Sequence, residues 1–146
     1  LHALVFLAFA PFAGLDLDLG GVLAGVAVLL LLSFALTGVG FTLAWLMDST
    51  AGYHGVMMVF LMPMLLLSGA FFPAQGAHTV LAWLMAANPL TYGVALLRHG
   101  FYGADAAAVE GLPSSVMCLT VTATFAVVAF AAGTAVVLRR TARDAV

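Results

Sequence analysis

Residues 20–47 run for 28 positions without one charged side chain. At ~1.5 Å per residue an α-helix of that length is longer than the ~20 residues needed to cross a hydrocarbon core of ~30 Å. No other feature limits the fold so strongly, because non-helical backbone is tolerated at that depth only where protein or a wet cavity covers it. The whole chain carries the same signature: 65% of its 146 residues are hydrophobic, 7% are charged and none is lysine. A water-soluble domain of this size would lack the polar surface it needs. The sequence therefore predicts an all-α, polytopic transmembrane bundle. A net charge of −2, with no cluster of Lys and Arg outside the last eight residues, excludes nucleic acid as a partner.

Three further segments are read around that span. Residues 1–13 are apolar but too short to cross and are expected to be the tail of a truncated span; the alternative, a signal peptide ending at the small residues 8–10, lacks the positive n-region. Residues 54–72 form the next span, with Pro63 expected to kink it and Pro73 marking its exit. Residues 114–138 form the last span, where an uncharged run of that length outweighs the β-propensity of its threonines and valines. Cys118 lies inside it and is read as a small packed residue. Gly21 and Gly25, at G-x-x-x-G spacing, let a neighbouring helix approach, and packing within one subunit is preferred over dimerisation. Ser68-Gly69 lacks the glycine two residues before the serine that an intramembrane protease motif requires, since Leu66 stands there; Ser68 is read as a back-bonding serine in a packed helix.

Between the spans, "DSTAGYHG" (48–55) is a polar break in which Asp48, Ser49 and Thr50 are good N-cap types, predicting a turn or one-turn helix at the membrane surface. Arg139, Arg140 and Arg143 follow the last span, so the C-terminus is expected on the cytoplasmic side. Counting back puts residues 100–112 outside, the Asp48 loop inside and the Asp16/Asp18 loop outside, provided that residues 74–99 do not cross.

That proviso rests on "LMAANPLTYGVALLR" (84–98). Asn88 is a strong N-cap type and Pro89 suits the first helical position, so a helix starts where a crossing span would need an unbroken one. Two short helices are expected, 77–87 and 89–102, forming a re-entrant hairpin that enters and leaves by the outer face. Leu90, Val94, Leu97 and Phe101 make an apolar stripe that leaves Thr91, Arg98 and His99 toward something polar. The turn at Asn88 is the functional candidate.

Enzymatic chemistry finds little footing. With no lysine the chain has no phosphate-binding P-loop. His2, His54, His78 and His99 lie far apart without a ligand-spaced companion, so no metal and no cofactor is expected. No catalytic residues are assigned, since no nucleophile-elbow pattern surrounds Ser49.

The run from Met62 to Gly103, with Ser68-Gly69, Phe71-Phe72-Pro73, Trp83, Asn88-Pro89-Leu90-Thr91-Tyr92 and Arg98, resembles the signature region of the ABC-2 type transporter permeases. These are the membrane subunits that include polysaccharide, nodulation-factor and drug-resistance exporters. The resemblance implies the C-terminal half of a six-helix permease in a bacterial plasma (inner) membrane, with the hairpin Pro73, Asn88, Pro89, Tyr92 and Arg98 before the last helix on the extracytoplasmic side. It also implies a second permease subunit, identical or not, and a separate ATP-binding-cassette ATPase on the cytoplasmic face. The family's N-terminal interface helix, first two spans and main coupling loop have no counterpart in these 146 residues. The loop Asp48, Ser49, Thr50, Tyr53 and His54 is therefore the expected ATPase contact. The expected function is an ATP-driven export permease, the alternative a non-transporting assembly or regulatory module.

Overall fold

A computed structural model describes Val5, Phe9 and residues 19–72, 78–102 and 109–144. The expected truncated span at 1–13 (apart from Val5 and Phe9), the Asp16/Asp18 loop and Pro73 lie outside the described residues. Among the described residues the five elements are all helices: α1 Leu19–Leu46, α2 Thr50–Leu66, α3 Thr79–Ala87, α4 Pro89–Tyr102 and α5 Ser115–Asp144. Among the described residues only α1 and the stretch Ser115–Arg140 of α5 are single helices long and apolar enough to cross a membrane.

α1, α4 and α5 pack together, and small residues set how closely. The buried residues of α1 recur at Gly21, Gly25, Val28, Leu32, Ala35 and Gly38, every third or fourth position, so they lie along one face. Gly38 lies against the backbone of Ala129 and Phe130, and Gly133 lies against Thr42 and Phe41. Phe34 and Phe130 stack with ring centroids 5.1 Å apart. Lipid tails are as apolar as leucine, so the hydrophobic effect does not drive such helices together; close backbone approach and its dispersion energy do. The threonines that argue for strand are satisfied within the helix instead. Thr120, Thr122 and Thr134 each donate to the carbonyl four residues back.

The contacts also fix direction. Gly38 meets Ala129 and Phe41 meets Gly133, so α1 and α5 run parallel. Gly25 is covered by the Phe101 ring and Gly93 by the Leu32 side chain, so α4 runs antiparallel to α1. Gly25 thus packs within the subunit.

α2 differs from the sequence reading at both ends. Residues 50–55 belong to the helix, not to a polar break: Ser49 is the N-cap, its hydroxyl accepting from the Gly52 N–H at 3.1 Å. Polar side chains do not stop a helix that has a cap to start from. At the other end the helix stops at Leu66 and not at 72, because Gly69 turns the chain with φ +82° and the Ser68 hydroxyl donates to Leu65 O at 2.6 Å. Ser68 back-bonds, as its sequence suggested, but beyond the helix end. Pro63 sits inside α2.

The break at Asn88 is present, and α3 and α4 meet there at an 83° bend. This is an elbow, not the antiparallel pair that the word hairpin suggests. The buried stripe of α4 also differs from the expected 90, 94, 97, 101. Its buried residues are Leu90, Gly93, Ala95 and Leu96. Glycine escapes a search for apolar side chains, yet Gly93 is where the Leu32 side chain seats.

Candidate functional site: the junction of α2 and α4

A helix leaves its last four carbonyls without intrahelical partners, and in a membrane water is not there to take them. At the end of α2 the loop takes some: Leu67 N–H donates to Pro63 O at 2.9 Å and Ser68 N–H to Leu65 O at 3.2 Å. Met64 O, and two carbonyls just past the helix end, are met by side chains of α4 and its cap. Asn88 Nδ2 donates to Met64 O at 2.6 Å, Thr91 Oγ1 to Leu67 O at 3.2 Å, and an Arg98 Nη to Gly69 O at 2.8 Å. Positions 88, 91 and 98 fall on one side of a 3.6-residue helix, which is why one face of α4 serves three successive acceptors.

Asn88 does two jobs at once. While its amide N–H holds α2, its Oδ1 accepts from Leu90 N–H at 3.0 Å, capping α4 two residues in, with Pro89 at the first helical position. The residue is buried, and among the described residues no buried side-chain nitrogen or oxygen is left without a partner. Tyr92 closes the elbow, its hydroxyl donating to Ala86 O at 2.9 Å across the turn. At the far end of α4, His99 Nε2 lies 2.8 Å from Pro113 O, tying α4 to the segment that enters α5.

The contacts trace the path of the chain. Gly69 is level with Arg98, ten residues further along α4 than Asn88, while Asn88 is level with Met64. Between Gly69 and Asn88 the chain has turned back on itself. Because α1 and α5 are parallel, the chain between them makes one net return, and α2 supplies its direction.

Beside the junction is a cleft of about 150 Å³, bounded by Ser68-Gly69, α3, α4 and Gly111–Pro113. Arg98 and Tyr92 line it with the apolar walls Ala82, Ala86 and Val94. Of the residues singled out in the sequence, Ser68, Gly69, Asn88, Tyr92 and Arg98 come together here with Pro89 at the elbow, whereas Gly21 and Gly25 belong to the α1–α4 contact. Asp48, Ser49, Thr50, Tyr53 and His54 lie at the other end of α2. There His54 Nδ1 is 2.9 Å from Thr50 O, and Asp48 pairs with Arg140 at 3.6 Å, so the α2 start and the α5 arginines share one end of the molecule. Among the described residues no three His, Cys, Asp or Glu gather as metal ligands would.

Of the three acceptors, Gly69 was named among the sequence-derived site residues, as a packing position; Met64, Leu67 and the donor Thr91 were not. Thr91 could have been, from its spacing to Asn88. Met64 and Leu67 could not, because they act through backbone carbonyls that every residue has.

Compared with known proteins, residues 1–102 match a family model described as ABC-2 type transporter, a range that contains the whole junction. No curated protein and no solved structure matches.

Proposed function

We propose, from the premise that this chain belongs to the ABC-2 type transporter family, that it is the permease of an exporter driven by ATP hydrolysed on a separate chain. The family places it as a multi-pass membrane component of an ABC transporter. The observation that carries the finer reading is the build of α2. It is a 17-residue apolar helix with no buried residue, held by a cap at one end and by the junction at the other. Such an element connects the Asp48–His54 end, where the ATPase would dock, to the elbow at the opposite leaflet. The arginines at the end of α5 support a cytoplasmic docking side, by the excess of Lys and Arg on cytoplasmic flanks, in our reading of the chain as part of a bacterial inner-membrane permease. A second permease subunit would complete the pathway.

The test has two arms. Purified full-length protein alone should show no ATP turnover above a protein-free control, since the chain has no P-loop lysine. In a Cys118→Ala background, a single cysteine at His54 should crosslink to the cognate ATPase and react with an impermeant thiol reagent only after the membrane is opened. Turnover by this chain alone, or ready labelling of that cysteine on intact cells, overturns the reading.

A further inference from the structure

We propose that the cleft beside Arg98 is a receptor site for an oxyanion, a phosphate or carboxylate group. Arg98 is the only cation of the sequence outside the C-terminal tail. Along α4 it lies between the Gly93–Leu32 and Gly100–Ala24 contacts, so it is level with the N-terminal third of α1. α1 is ~42 Å long, about 12 Å more than a hydrocarbon core, which puts Arg98 close to head-group depth. A charged side chain within a membrane protein is costly and needs a partner.

The partner present is insufficient for the charge. Gly69 O accepts one hydrogen bond from a guanidinium that has five N–H donors, and a neutral carbonyl does not cancel a positive charge. Among the described residues lining the cleft there is no carboxylate. The hydroxyls of Ser68, Thr91 and Tyr92 already donate to Leu65, Leu67 and Ala86 carbonyls, leaving Arg98 as the cationic donor of the site. Arginine favours phosphate and carboxylate because its fork makes two parallel, charge-assisted bonds to them. The walls Ala82, Ala86, Val94 and Leu112 add an apolar surface next to that fork. The group could therefore arrive on an amphiphile or as a free anion.

The proposal relies on the permease reading only for depth, and its assay uses no ATPase, so its failure leaves that reading standing. Full-length protein in neutral maltoside micelles is melted against rising dodecyl phosphate or rising inorganic phosphate at constant ionic strength. A ligand that binds the folded state raises Tm in a saturable way. Saturation is expected with at least one of the two; response to dodecyl phosphate alone identifies a membrane-borne anion, response to both a soluble one. Arg98→Gln should raise the half-saturating concentration at least tenfold and Arg98→Lys by less. Ala82→Phe fills the cleft from α3, leaves the Arg98–Gly69 bond in place and should abolish saturation without lowering the starting Tm. It decides the matter if Arg98→Gln does not fold. No saturation with either phosphate, or saturation unchanged in Ala82→Phe, overturns the proposal.

Discussion

The α1–α4–α5 packing and α2 are both built from apolar residues and are held in opposite ways. In the first, glycine and alanine bring backbones together: Gly38 on Ala129, Gly93 under Leu32, Gly25 under Phe101. In α2 no residue is buried, and attachment runs through side-chain donors to carbonyls at one end. A helix pair of the first kind is positioned by shape over its whole length. A helix of the second kind is hydrogen-bonded at one end and otherwise rests on its neighbours through a half-buried stripe of Tyr53, Val56, Met57, Leu61 and Met64. Exposed Val59, Met58 and Leu65 on α2 and exposed Leu30, Val127 and Val128 on α1 and α5 look alike by hydropathy, so hydropathy cannot tell the two attachments apart.

Substitutions sharpen this contrast. The largest effect belongs to close packing. Gly38→Val pushes branched carbons at the Ala129–Phe130 backbone, where even a Cβ would sit 3.1–3.2 Å from main-chain atoms. It should cost about 2–3 kcal/mol, from the penalty for overpacking, read as a lowered midpoint in denaturing-detergent titration. A midpoint equal to wild type would show that shape does not position α5 on α1.

Next comes Asn88, which removes a cap and a tether together. Asn88→Ala should cost about 2 kcal/mol, roughly one for the cap and one for the lost bond to Met64 O. Asn88→Ser keeps a cap but is too short to reach Met64, so it should recover about half in the same titration. Were Asn88→Ala neutral or stabilising, the residue would be a misplaced amide in a crossing span and the elbow reading would fail.

Thr91→Val keeps the shape and deletes the hydroxyl that donates to Leu67 O. The expected loss is about 1 kcal/mol, and faster hydrogen exchange at the end of α2 without change in α1 would locate it. Exchange rising equally in α1 would mean that α2 is not held by hydrogen bonds at one end. The smallest effect is at the other end. Asp48 is 92% exposed in its pair with Arg140, so Asp48→Asn should change stability by less than about 0.5 kcal/mol, with the difference vanishing in high salt. A larger, salt-resistant loss would give that end a structural role which the contrast denies it.

The residues legible in sequence were those whose side chains carry their own instruction. Asn88-Pro89 announces a helix start, the 20–47 run announces a span, and Pro113-Ser114 announces the last helix, whose N-cap hydroxyl lies 3.4 Å from Met117 N. What stayed hidden was written in atoms common to all residues. The carbonyls of Met64, Leu67 and Gly69 are the acceptors of the junction, and no residue code distinguishes them. Gly93 acts by lacking a side chain, so a periodicity of apolar side chains passes over it. The 50–55 segment was legible in part: Ser49 was among its N-cap types, but the cap starts the first turn and a half of α2 and not a separate surface turn.

Hydrogen bonding at one end has a mechanical meaning for α2. At ~1.5 Å per residue its 17 residues make a rod of ~25 Å, pinned at the Asn88 end. A push of ~3 Å on Ser49 then tilts the rod by only ~7°, as simple leverage on that length. Hydroxyl and amide donors can follow a carbonyl through so small a rotation without letting go, whereas interlocked glycine contacts on α1 and α5 would have to slide. Force applied near Asp48 is delivered as torque on Met64, Leu67 and Gly69, and the first groups to feel it are Asn88, Thr91 and Arg98.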